Sequence, residues 1–485
     1  MAVGRHDLAG SSLWNTTRGI VNKTYMRDRI SRMAIGIAVV ETSSLGDRTY
    51  LVYDEGVAVV VDPQRDIDRV LLEAGRLGVR ITHVAETHLH NDYVSGGLAL
   101  ARLTGAAYLV AAAEQVAFDR VPVSDGDRLP VSDRLGLLVL ATPGHTFQHL
   151  CYVVTFDGAP VGVCTGGSLL YGTTGRTDLL GAEHARTLAH HQHASARRLA
   201  DLLPDGVAVW PTHGFGSFCA PAAPDAGPAG HSTIGSEKRA NPALRLHADG
   251  FVAQLLAGLA AYPAYYAHMG VRNATGADPI DLSPAAPAGP ADLRDRLAAG
   301  EWVVDLRSRR AFAYQHLVGT VSFGVDGPLA TWLGWALPAG APLTLLAESP
   351  GQVAAAQREL ARIGIERPAA AATGTPQQWA GGDADRLAAL PTATFADLAA
   401  AGRAVVVDVR AENEWAAGHI AGALHIPLPE VPVRLAEIPD GTLWVHCAAG
   451  YRAAAAASLL TRAGRTAIHI DDDWPNATAA GLPVG

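Results

Sequence analysis

A chain of 485 residues with 49% hydrophobic content is too long for one ordinary core, so two to four domains are expected. Its net charge of -9 comes without a basic stripe, and no uninterrupted apolar run reaches the roughly 18 residues that span a bilayer, which sets aside nucleic acid and membrane as partners. Four cysteines without paired spacings (Cys151, Cys164, Cys219, Cys447) argue against a disulfide framework and for a reducing, cytoplasmic setting.

Residues 1–33 are polar, contain arginine and show no apolar core followed by a cleavage site; they read as a flexible extension, with Met33 a candidate translation start. Residues 49–53 and 57–62 read as a hairpin about Glu55 and Gly56, and residues 67–77 have helical spacing. Residues 79–86 alternate as a buried strand and run into T-H-L-H-N-D-Y-V-S-G-G at 87–97. On an extended segment side chains two apart share a face, so His88 and His90 can converge on one ion, with Asp92 following at the same spacing. A second cluster, T-P-G-H-T at 142–146, supplies His145 after the apolar run 135–141.

The helix expected over 183–203 carries His184, His190, His191 and His193, but no carboxylate stands at ligand spacing, so it reads as an amphipathic surface helix. Residues 220–230 are rich in Pro, Ala and Gly, a loop or lid candidate; 251–270 read as apolar helix, and 283–290 as a linker. Beyond lies a repeat. Asp305, Arg307, His316 and Gly319 recur as Asp408, Arg410, His419 and Gly422, each 103 residues on (408 minus 305, 419 minus 316). That period means two copies of one domain, each a doubly wound α/β sheet.

In the second copy an apolar strand runs into C-A-A-G-Y-R at 447–452 and then an Ala-rich helix. A turn of this kind points successive backbone N–H groups inward as an anion nest, which favours a thiolate nucleophile at Cys447 and can hold a sulfane sulfur or an oxyanion. Aligning 343–352 with 443–452 puts Ala347 at the position of Cys447 and Gln352 at that of Arg452, so the first copy has neither nucleophile nor cation.

The H-x-H-x-D and P-G-H-T loops resemble the metallo-β-lactamase fold, an αββα sandwich. The stretch E-T-H-L-H-N-D-Y-V-S-G at 86–96, with G-R-T-D-L at 175–179, W-P-T-H-G at 210–214, S-T-I at 232–234 and N-P-A-L at 241–244, is most similar to its persulfide dioxygenase branch. The D-x-R and G-H-I-A-G-A (418–423) segments resemble the rhodanese family. The domains expected are thus the extension 1–33, a metallo-β-lactamase-like domain 34–275, an inactive rhodanese-like domain 285–385 and an active one 390–485, as in persulfide dioxygenase-rhodanese fusions.

The resemblance implies Cys447 as the persulfide-forming nucleophile, Ala448, Ala449, Gly450, Tyr451 and Arg452 as the substrate-binding loop, and Fe(II) held by two histidines and an aspartate. This chain has Gly167 where that aspartate is expected. The ligand set read is then His88, His90 and His145, with Fe(II), zinc and an apo site left open, Asp92 and Asp178 as replacement carboxylates, and His213 as a supporting residue. An aspartate introduced at 167 is expected to complete a triad with His88 and His145. The function implied is oxidation of a low-molecular-weight thiol persulfide coupled to sulfane-sulfur transfer with thiosulfate or sulfite. A glyoxalase II-like thioester hydrolase, disfavoured by Gly167 and Tyr93, and a persulfide-binding module are the alternatives. Oligomeric state, a homo-oligomer included, is left open.

Overall fold

The computed structural model describes residues 35–485 apart from 215, 221–229 and 403. The extension over 1–33 and most of the lid candidate over 220–230 lie outside the described residues.

The N-terminal half builds two six-stranded sheets, each with its strands in sequence order. The hairpin read about Glu55 and Gly56 joins Asp47–Asp54 to Val57–Val61 through those two residues, both at positive φ (46° and 82°), the twist that a two-residue antiparallel connection demands. Strand alternation then decides the layers. Val59 and Val61 meet Leu137, Val139, Tyr152 and Val154 of the second sheet, while Ala58 and Val60 meet Val70 and Leu100. Because both faces of each sheet are apolar, each is covered twice. The sheets cover one another, Asp68–Leu77 and Gly97–Thr104 cover the first, and Ala182–Leu202 with Ala248–Ala257 cover the second. The result is the expected αββα sandwich.

Ala182–Leu202 is amphipathic as read: Ala189, Ala196 and Leu199 pack inward, and His193 is buried with Nε2 at 3.0 Å from the Leu246 carbonyl. Two expectations are corrected. Residues 251–270 are not one helix but parts of two, Ala248–Ala257 and Tyr266–Thr275, because Gly258 and Pro263 interrupt the ladder between them. Within the linker 283–290, Ala286 and Pro287 pair with Ala370 and Ala371 as the edge strand of the next sheet, a position that tolerates the missing proline N–H.

The two repeats each form a five-stranded sheet with all pairings parallel and the same spatial order, first strand, fifth, fourth, second, third. The repeated motif proves to be structural. Arg307 folds back on Asp305 (2.6 Å) and donates to the Gln315 carbonyl (2.8 Å); Arg410 does the same to Asp408 (2.6 Å) and the Gly418 carbonyl (2.7 Å). His316 stacks on Phe312 and His419 on Trp415, with ring centroids 3.9 and 3.6 Å apart. A buried ion pair that also ties down a carbonyl fixes the strand-to-helix corner in both copies.

One apolar cluster crosses all three units, from Val94, Tyr265 and Met269 through Phe312 and Leu333 to Ala455 and Cys447. Polar contacts follow the same seams. The Val94 N–H donates to the Arg362 carbonyl (2.8 Å), Arg362 pairs with Asp66 (2.7 Å), and the Ser322 N–H donates to Ser458 Oγ (2.9 Å).

Candidate functional site

Five histidines and four carboxylates meet at one edge of the sandwich. His88 and His90 follow the strand Arg80–Ala85, His145 and His149 flank the loop after Leu135–Ala141, and His213 follows Ala208–Pro211. All five are buried, with Asp47, Asp62, Glu86 and Asp92 among them.

Hydrogen bonds fix which nitrogen of each ring is free. Asp62, held at φ 52°, accepts from the Thr87 N–H (2.7 Å), the Thr87 hydroxyl (2.7 Å) and the Thr212 hydroxyl. With its proton given to Asp62, Thr87 Oγ1 can only accept from His88 Nδ1 at 2.9 Å, so His88 Nε2 carries a lone pair. His145 Nδ1 lies 2.7 Å from the Arg176 carbonyl and must donate to it; Nε2 is then a bare lone pair, buried and without a partner. His149 is spent at both ends, against Thr142 Oγ1 (2.9 Å) and the Gly167 N–H (3.1 Å). His213 Nδ1 sits between Asp47 (2.9 Å) and Asp92 (3.1 Å), and its Nε2 is 3.5 Å from His88 Nε2.

Electrostatics sort the rings in the same way. Burial drives His88 well below the usual histidine range and His145 to about 3, the charge of His213 adding to the latter. Burial pushes His90 down too, but Asp62 and Glu86 outweigh it and bring it up to about 9. His213 is likewise held high against burial by Asp92 and Asp47. His88 and His145 are therefore neutral imidazoles, whereas His90, turned towards Asp62 (3.3 Å), Glu86 (3.4 Å) and the Tyr93 hydroxyl (2.9 Å), and His213, set between Asp47 and Asp92, are both held protonated by their carboxylates, so that an ion at His213 Nε2 would take the place of a proton.

The three histidines read from the sequence thus share one site, but not in equal roles. Donor atoms cluster within 4.8 Å of one another as His88, His90 and His213, and as His145, His213 and Cys219. His213, read as a supporting residue, is the member common to both groups. A buried lone pair without a partner at His145, beside two further imidazoles and a thiol, is a donor set that suits a divalent transition ion. Asp178 is not beside it; it pairs with Arg176 at 2.7 Å.

Gly167 shows why no carboxylate stands there. A Cβ at this position meets His145 Cδ2 at 2.3 Å, and one at Gly175 meets His145 Nδ1 at 2.7 Å, so the His145 ring fills the space between two glycines. The expected rescue by an aspartate at 167 is corrected accordingly, since the ring must leave for it to fit. Sequence reading missed Asp62, Glu86, His149 and Cys219. Two of them carry a spacing signal, Glu86 two residues before His88 and His149 four residues after His145.

The second site lies at the end of the strand Thr442–His446. Cys447 Sγ, 2% exposed, accepts the Gly450 N–H at 3.2 Å. Gly450 has φ 89°, and a Cβ there meets Asp471 Oδ1 at 2.6 Å, so the loop requires glycine. Arg452 is the second residue of the following helix, but both terminal nitrogens go to Glu414 (2.5 and 2.7 Å), a partner not foreseen. Burial lowers the affinity of Arg452 for its proton, yet Glu414 and the nearby Cys447 raise it overall. The Tyr451 hydroxyl donates to the Gly324 carbonyl of the first repeat (2.9 Å), and Ala448 and Ala449 line the wall. The loop opens on a cavity of about 400 Å³ shared by three units: Phe218 and Ala260 from the sandwich, Trp332 from the first repeat, and Glu414 and Arg452 from the second.

Comparison with known proteins agrees with both halves. Residues 48–213 match the metallo-beta-lactamase superfamily and residues 392–480 the rhodanese-like domain. The chain is 35% identical over 131 residues to a hydroxyacylglutathione hydrolase of Methylobacillus flagellatus, covering 26% of this chain and 52% of that protein, about half its length. It is 29% identical over 215 residues to the human mitochondrial persulfide dioxygenase ETHE1, covering 44% of this chain and 74% of that one. The crystal structure of a metallo-beta-lactamase from Staphylococcus aureus superposes with a TM-score of 0.63 at 27% identity, over 70% of this chain and 100% of its own. The chain therefore carries a metallo-beta-lactamase domain, with homologues among persulfide dioxygenases and hydroxyacylglutathione hydrolases, joined to a rhodanese-like domain at its C-terminus.

Proposed function

We propose that this protein is an enzyme of sulfur metabolism that transfers sulfane sulfur through Cys447 and oxidises a low-molecular-weight thiol persulfide at the histidine cluster. The observation that carries the reading is Cys447 at the base of its loop, with the Gly450 N–H on its sulfur and the Arg452 charge beside it. The thiolate attacks the outer sulfur of thiosulfate, the S–S bond breaks, and sulfite leaves with the bonding pair, leaving a persulfide on Cys447. Attack on the outer sulfur of that persulfide by sulfite reverses the step, and attack by a thiolate carries the sulfur on as a new persulfide, the Cys447 thiolate leaving in either case. The loop donor and Arg452 offset the negative charge of the terminal sulfur.

At the other site His145 and His213 would hold the ion, iron(II) in this reading, with Asp47 and Asp92 fixing the His213 ring through Nδ1 and Thr87 turning the His88 lone pair towards His213. When bound, the ion supplies open positions where O₂ and the persulfide sulfur meet. The persulfide, O₂ and water together yield the free thiol, sulfite and two protons, and that sulfite is an acceptor for sulfur on Cys447. His90 stays an imidazolium among Asp62, Glu86 and Tyr93, lending the site a fixed charge and not a ligand. Thioester hydrolysis by two metals lacks its donors at 93 and 167, where Tyr and Gly stand.

Two measurements test this. Cys447→Ser should abolish thiosulfate-to-cyanide transfer; near wild-type transfer would overturn the first half. Protein from iron-supplemented medium should carry about one iron and consume O₂ with glutathione persulfide. Two zinc ions with hydrolysis of hydroxyacylglutathione would instead make it a thioester hydrolase, and no metal would leave a binding module.

A further inference from the structure

Cys219 also stands at the histidine cluster. It is fully buried, and its sulfur shares with a nitrogen of His145 and one of His213 a space in which all three donor atoms lie within 4.8 Å of one another. Its place is set by the same residue that sets His145. The Arg176 N–H donates to the Cys219 carbonyl (2.9 Å), and the Arg176 carbonyl accepts from His145 Nδ1 (2.7 Å). The Arg176 guanidinium also donates to the Phe218 carbonyl at 3.0 Å, and the Cys219 N–H is taken by Ser217 Oγ at 3.1 Å. One residue thus holds a thiol and an imidazole at fixed separation, and the free nitrogen of that imidazole is buried without a partner. Gly167, meanwhile, offers no anionic donor and no room for one.

We infer that Cys219, as a thiolate, is the anionic metal ligand of this site, completing with His145 and His213 a two-histidine, one-cysteine set for a divalent, borderline-soft cation such as Zn²⁺ or Fe²⁺. On binding, the thiol proton and the His213 Nε2 proton pass to solvent and one metal–sulfur bond forms, with no change of oxidation state. The single negative charge is the one an aspartate would have brought. A thiolate ligand moves the site's preference from iron towards zinc and raises electron density on whichever ion is held. The inference rests on the proposal above that the cluster binds a metal.

The test is cobalt(II) titration of the chelator-stripped full chain, read by absorbance. Wild type and Cys447→Ser should each take up about one equivalent and show thiolate-to-cobalt charge-transfer absorption in the near-ultraviolet. Cys219→Ser should lose that absorption. Cys219→Asp, which keeps an anionic donor, should lose it while retaining the visible ligand-field bands. A full equivalent of cobalt on wild type without charge transfer overturns the Cys219 assignment alone, as does charge transfer that survives in Cys219→Ser. No cobalt uptake by wild type overturns both this assignment and the metal reading. Should either variant fail to fold, the wild-type and Cys447→Ser spectra still decide.

Discussion

The two repeats share strand order, the buried Asp-x-Arg pair and the stacked histidine, yet differ at one turn. In the second, four residues separate the strand Thr442–His446 from the helix Tyr451–Arg462; in the first, two separate Leu343–Ala347 from Pro350–Arg362. Pairing registers put the turns in correspondence, since Asp305 stands opposite Leu346 and Asp408 opposite His446, which makes Ala347 the counterpart of Cys447. The first turn is an ordinary helix cap, with Ser349 Oγ accepting the Gln352 N–H and Pro350 bringing no N–H at all. Counted from Ala347 and from Cys447, the first helix begins one residue earlier than the second, and Ser349 with Pro350 makes that segment a cap, so the two repeats differ there by more than one cysteine.

The helix after the first repeat's turn has other work. Arg358 and Arg362 reach Asp66 and Asp68 of the sandwich, and the Ala361 and Arg362 carbonyls accept from Arg65 (3.1 Å) and from the Val94 N–H (2.8 Å). Val94 is four residues beyond His90. The first repeat thus braces the loop that carries the histidine cluster, and its Trp332 walls the cavity of the second.

Four variants break or sharpen this contrast. Cys447→Ser should make the second turn as inert as the first, with transfer to cyanide falling to background while the fold, followed by circular dichroism, is unchanged. Gly450→Ala should come next. Its Cβ meets Asp471 and Arg309 and its φ is unfavourable, so the loop must shift, and a displacement of about 1 Å costs about 10²-fold in kcat/KM. Unchanged kinetics would show that the donor on Cys447 is dispensable.

Asp66→Asn tests the bracing role. It leaves Arg362, 6% exposed at its side chain, short of its main partner and should cost about 3 kcal/mol by denaturant unfolding. Burial pushes the Asp66 carboxyl up, but Arg362 and Arg69 outweigh it and hold it below the usual carboxylate range. A depressed carboxylate contributes fully above its unfolded value of about 3.9 and loses that contribution as pH falls through its lower folded value. The gap between wild type and Asp66→Asn should accordingly be constant from neutral pH down to about 4 and close below it. A gap that stays open there would assign the effect to packing.

The smallest effect is the most telling. Ala347→Cys combined with Gln352→Arg restores both missing side chains to the first repeat, yet should add no measurable transfer in a Cys447→Ser background. The two-residue turn and Pro350 still deny the sulfur its backbone donors. Robust transfer would mean that side chains alone make the site.

What the sequence by itself determined is what local pattern encodes. Alternating valines named the sandwich strands, and the 103-residue recurrence of Asp-x-Arg and Gly-His named two copies of one domain, because a self-contained ion pair and a stacked ring need only neighbours a few residues away. Cys447 and its loop were legible for the same reason, the nest being six contiguous residues. The roles of the histidines were not. Which ring is neutral and which nitrogen is free depends on Asp47, Asp62 and Arg176, brought from separate strands and loops, so His213 and Cys219 were promoted and His90 became a paired cation only when the sheets closed. Gly167 was visible as a departure, but the reason no carboxylate fits there, an imidazole lodged between Gly167 and Gly175, belongs to packing between segments distant in sequence.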